Sequence, residues 1–174
     1  MKRFFFILAL IVPLFALNAE AKKPKGEIVM EVISKTVDGR SFETDSVLSM
    51  IITTYADRFV TLYPTNRTND KINIEWDGAK FNGAKLVFDT DNRLSINKHK
   101  DDEAIYAKQS GLMRNVTSQY KVGEYSLYPI YEKKEVEKKG IPEMVTITIP
   151  VRLKDDTIRL YKYTLKYYFK KADN

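Results

Sequence analysis

His99, in Asn97-Lys98-His99-Lys100-Asp101-Asp102, is the only histidine among 174 residues. A serine–histidine hydrolase or a histidine-bound zinc would have to use it. Its lysine neighbours oppose a bound cation and no second ligand stands at metal-binding spacing, so it reads as a solvated loop residue. Glu75 and Asp77 lie two apart on the polar side of one extended run and form a candidate carboxylate pair. Glycoside hydrolysis needs two carboxyls facing across a cleft about 5–10 Å apart, whereas neighbours on one strand face point together into water. Asp89-Thr90-Asp91-Asn92 and Asp101-Asp102-Glu103 offer oxygens to calcium but lack the glycine and distal glutamate of a calcium loop, and read as turns. Cysteine is absent, which removes thiolate nucleophiles, thiolate metal sites, disulfides and a lipid-bearing cysteine. No catalytic residue, cofactor or metal is therefore expected, and the chain reads as a non-enzyme.

Aromatic side chains are the remaining chemistry. A flat exposed aromatic strip grips sugars and peptides, and with eleven tyrosines the first place to look for a ligand contact is Tyr125, Tyr128 and Tyr131, should they be exposed together. Trp76 is in phase with Ile72 and Ile74, which places it in the core. Tyr161, Tyr163, Leu165, Tyr167 and Phe169 form a second core stripe, with Tyr168, Lys162 and Lys166 facing outward. Asn66-Arg67-Thr68 and Asn115-Val116-Thr117 match a glycosylation acceptor, a pattern short enough to arise by chance.

The elements that would hold these residues are strands. Residues 59–78 give two alternating runs around a Pro, Thr, Asn and Asp cluster, which spells strand, turn and strand. Residues 27–35 and 47–55 are further strands, and Asp38-Gly39 and Asn82-Gly83 favour tight hairpins because glycine accepts positive φ. Short strands are expected near Ile105 and Val116, with residues 97–103 a polar loop. Residues 132–143 are charged and end at Pro142, which suggests a long hairpin tip. Val145, Ile147, Ile149, Val151 and Leu153 alternate with Thr146, Thr148, Pro150 and Arg152, and Pro150 in that run implies an edge strand or a bulge. No apolar stripe of helical period appears after the first residues. The expected fold is all-β, an antiparallel sandwich of about seven to nine strands.

The start of the chain looks like a leader. Met1-Lys2-Arg3 is positive, residues 4–17 are apolar, and Ala19-Glu20-Ala21 is a small-x-small cleavage pattern, so residues 1–21 read as a secretory signal peptide and 22–174 as one domain. A spanning helix needs about 20 apolar residues, more than this run supplies. The net charge of +6 is spread over lysine-rich runs flanked by acids, the pattern of solubilised tips, and argues against nucleic-acid binding.

Phe59-x-x-Leu62 leading to residues 66–76, then Ser126-Leu127-Tyr128-Pro129-Ile130, Thr148-Ile149-Pro150-Val151 and residues 161–169, resemble uncharacterised exported bacterial proteins with immunoglobulin-like sandwich domains. The resemblance covers most of the chain after the leader. It implies an immunoglobulin-like fold and no catalytic residue, and the chain departs from the many lipoproteins of that group in lacking the anchoring cysteine. The expectation is a non-catalytic structural or binding module of the bacterial envelope, periplasmic or secreted, with no stable membrane insertion after leader cleavage. Its partner would be an envelope protein or a glycan. The alternatives are a carbohydrate-binding module using exposed aromatics and a small carboxylate-based glycosidase.

Overall fold

The computed structural model describes residues 25–55, 59–88, 102–117 and 130–172. The leader at 1–21, Leu94, Ile96, His99, Tyr125 and Tyr128 lie outside the described residues. Among the described residues are twelve strands: β1 (Gly26–Val37), β2 (Arg40–Ser41), β3 (Leu48–Tyr55), β4 (Phe59–Asn66), β5 (Ile72–Ile74), β6 (Lys80–Phe81), β7 (Ala84–Lys85), β8 (Val87–Phe88), β9 (Glu103–Ile105), β10 (Arg114–Thr117), β11 (Glu143–Arg152) and β12 (Ile158–Lys171). They form two antiparallel sheets. One runs β2-β1-β12-β11-β5-β9, with the β6–β7 hairpin also on β11, and the other runs β3-β4-β10-β8. The expected all-β sandwich is what forms.

Alternation in sequence becomes the core directly. Ile147 pairs with Tyr163, Ile149 with Tyr161 and Val145 with Leu165, and these side chains are buried against Leu48, Val60, Leu62, Phe88 and Val116 of the second sheet. Trp76 is buried as expected, although it sits in a 3-10 turn (Trp76–Gly78) after β5 ends. Both expected hairpins take positive φ at their two central residues, Asp38-Gly39 and Asn82-Gly83, as a tight turn matched to strand twist requires. The strands expected near Ile105 and Val116 are β9 and β10.

Two prolines correct the sequence reading for one reason. Pro64, expected in a turn, lies inside β4, and Pro150, expected at an edge or bulge, lies inside β11 with an unbroken register to β12. A strand residue points its nitrogen and its carbonyl to the same side. The Pro150 carbonyl accepts from the Glu75 amide, so its missing donor faces the stretch where β5 gives way to the Trp76–Gly78 turn. The Pro64 carbonyl accepts from the Gly111 amide, so its missing donor faces the irregular residues before β10. Each proline thus stands opposite a gap in its neighbour, and no ladder bond is lost.

Residues 132–143 also depart from expectation. They hold a π-wound turn (Lys134–Lys138) in place of an open hairpin tip. Val136 is fully buried there, and Lys139 pairs with Glu135 at 2.6 Å on the wet side. One apolar residue among charges is enough to seat the turn on β12, because its burial outweighs the modest pull of the solvated side.

Candidate functional site

Every sequence-nominated acid in the described residues has a partner. Glu75 accepts from Arg152 Nε at 2.7 Å, and Asp77 pairs with Lys85 at 2.8 Å. Glu103, expected in a polar loop and in a calcium-like acidic run, instead opens β9 and is turned inward. Its Oε2 accepts from Trp76 Nε1 at 2.9 Å and from Arg114 Nη2 at 3.3 Å, and its Oε1 accepts from the Leu112 amide. Arg114 lies over the rings of Trp76 and Phe88, so the guanidinium is held by a carboxylate on one side and π faces on the other.

Gly111 is part of this cluster. A Cβ there would come 2.6 Å from Glu103 Oε1 and 3.0 Å from the Pro64 ring. Overpacking of this kind typically costs about 1–3 kcal/mol, so Gly111→Ala should lower the urea midpoint. Fluorescence of the single tryptophan reports it, and a midpoint equal to the parent would refute the close packing.

Asp45 is a second buried acid. Asp45 Oδ1 accepts from the Tyr161 hydroxyl at 2.7 Å and from the amides of Val47 and Leu48 at 2.8 and 2.9 Å, with Arg159 Nη1 3.5 Å from Oδ2. Burial pushes the Asp45 carboxyl upward, but the bonds from Tyr161, Leu48 and Val47 and the Arg159 charge together outweigh it, and the net direction is down. Burial, then the bond to Asp45, drives the Tyr161 hydroxyl up. Asn66 is likewise structural. Its amide nitrogen donates to the carbonyls of Asp70, Ile105 and Tyr106, and it is fully buried, so the first glycosylation pattern is closed in the folded protein. None of these was legible as a site, because each joins residues far apart in sequence.

Of the three nominated tyrosines only Tyr131 is among the described residues. It is 8% exposed and stacks on Tyr167 with ring centroids 5.0 Å apart, at the wall of a cleft of about 330 Å³ with Met30, Thr54 and the Lys133–Glu137 pair. Tyr131 therefore packs as a core ring and offers little face to a ligand. A larger open cleft, about 500 Å³, lies between Val47, Thr68, Ile72 and Leu153, with the Asp70–Lys154 pair at 2.8 Å on its rim.

The exposed aromatic surface is elsewhere. On the outer face of β3 and β4, Ile51 pairs with Tyr63. Arg114 pairs with Leu62, and Met113, the residue just before β10, is exposed on the segment that runs past Tyr63. Ile51 is 57% exposed, Tyr63 38% and Met113 67%, with Leu112 and Tyr106 exposed on the adjoining segment. Polar groups flank the row, with Thr61 Oγ1 bonded to Asn115 on one side and Thr65 to Ser110 on the other. Sequence reasoning passed over this row because its members come singly from three separate stretches. No family model, curated protein or solved structure matches this chain, so its own geometry carries the functional reading.

Proposed function

We propose that this protein is a non-catalytic, exported β-sandwich that serves as a binding module of the bacterial cell envelope, and that it binds through the Ile51–Tyr63–Met113 row. The observation that carries the reading is the row itself: Ile51 and Tyr63 paired on β3 and β4, with Met113 exposed on the segment entering β10, on a face flanked by hydroxyls and amides. Contiguous exposed apolar surface with a polar surround is the usual mark of a recognition site. The buried acids support a non-catalytic role, since Asp45 and Glu103 are committed to backbone amides, ring donors and arginines. A glycan ligand is the second reading, favoured by the exposed Tyr63 and Tyr106 rings beside Thr65, Ser110 and Asn115.

The test is a matched capture from envelope extract and on a glycan array with the parent and with Tyr63→Ala/Met113→Asp. Both positions are exposed, so the variant is expected to fold while losing at least tenfold in affinity for whatever the parent retains. Equal retention by both proteins would exclude this face, and retention of a purified glycan would select the second reading.

A further inference from the structure

The two sheets end in edge strands built in opposite ways. β1 carries Glu27, Glu31 and Lys35 along its free edge, shifts register between Val32 and Ser34, and is covered at one end by β2. Charges, a bulge and a covering strand are the devices that stop strand-to-strand association. β3 has none of them. Leu48-Ser49-Met50-Ile51-Ile52-Thr53-Thr54-Tyr55 contains no charge, proline or glycine, and its register with β4 is unbroken over all eight residues. Among the described residues, no backbone hydrogen bond is made on the outer side of β3 from Ser49 to Tyr55.

We propose that β3 pairs with β3 of a second copy of this chain, antiparallel about a two-fold axis through Ile51, joining the two smaller sheets into one. A closed two-fold contact must be self-complementary, and the sequence of β3 meets that demand. With Ile51 on the axis, Ile51 meets Ile51, Ser49 meets Thr53 and Met50 meets Ile52 of the other copy. Over Ser49 to Thr53 apolar residues thus face apolar ones and hydroxyls face hydroxyls, and only Leu48, opposite Thr54, departs from that match. A charged residue on the axis would face its own like charge, and β3 contains none.

The self-complementary sequence favours a second copy over a foreign peptide, and two side-chain observations fit pairing at this edge. Met50 and Ile52 are only partly buried against the core, as edge residues lacking a neighbour are. The outer row Met113–Tyr63–Ile51 also ends at this edge, so a two-fold would join two such rows end to end.

Sedimentation velocity on the protein purified from cells expressing the full chain tests this. The parent is expected to show a concentration-dependent dimer, and Ile51→Thr to keep it. Ile51→Lys and Ile51→Glu should each be monomeric alone, and mixing the two should restore a dimer, because opposite charges then meet on the axis. Recovery on mixing also shows that neither variant had lost its fold. A parent that stays monomeric across the micromolar range overturns the proposal, as does an Ile51→Lys protein that dimerises like the parent, or failure of the mixture to associate. Tyr63→Ala/Met113→Asp should still dimerise, so loss of ligand binding and loss of the dimer are separable results.

Discussion

Glu103→Ala is expected to lower the free energy of unfolding by about 3–5 kcal/mol, the usual cost of removing one member of a buried ion pair. The size follows from what is left behind. Arg114 and Glu103 keep only 12% and 9% of their side-chain surface exposed, so the guanidinium would remain desolvated between Trp76 and Phe88 without a counter-charge. The Trp76 indole donor would also lose its acceptor, and an unsatisfied buried donor adds to the penalty. Replacing both charges, as Glu103→Leu/Arg114→Met, should recover the part due to the stranded guanidinium, because an apolar pair of similar volume has no charge to desolvate, while the Trp76 donor stays without its acceptor. Urea titrations of the parent, the single and the double variants check this. A single variant within about 1 kcal/mol of the parent, the net worth of one ordinary hydrogen bond, would show that the cluster is hydrated.

Asp45→Ala is expected to cost about 2–4 kcal/mol at neutral pH. Of this, about 1–3 arises from a buried Tyr161 hydroxyl left without an acceptor and about 1 from two uncapped amides. Its pH dependence distinguishes this cause from simple loss of packing. Hydrogen bonds and Arg159 hold the folded carboxyl below its ordinary value, so the unfolded chain takes up a proton first as pH falls. The stabilisation is complete above the unfolded aspartate value near 4 and is lost as pH drops through the lowered folded value. The gap between parent and variant should therefore be constant from pH 7 to about 5 and narrow below about 4. A gap independent of pH down to about 2 would assign the effect to packing.

How much of this was visible in the sequence depends on the range of the interaction. Trp76, Ile147 and Tyr163 were legible as core because strand alternation is a local pattern, and both hairpins were legible because positive φ selects its residues locally. Pro64 and Pro150 misled because a proline in a run counts against an interior strand only when the neighbouring strand is continuous, and continuity of a neighbour is not written in the run. The 132–143 segment misled because the burial of Val136 depends on β12, more than twenty residues downstream. Glu103 reads as a loop acid, and nothing in the sequence singles out Asp45 as buried, since the partners that draw them inward, Trp76 and Tyr161, lie 27 and 116 positions away. The exposed row was illegible for the same reason: Ile51, Tyr63 and Met113 become neighbours only once β3, β4 and β10 are aligned.

The two interior prolines also act as register locks. Sliding a strand by two residues keeps every side chain on its own face, so apolar patterning alone does not forbid it. Such a slide of β11 would put Pro150 where Thr148 now sits opposite Lys80, or where Arg152 sits opposite Asn73. A ring with no hydrogen to give would then confront a carbonyl that needs one. Only the native alignment of β11 parks the imino nitrogen beside a vacancy, and Pro64 sets the alignment of β4 against β10 in the same way.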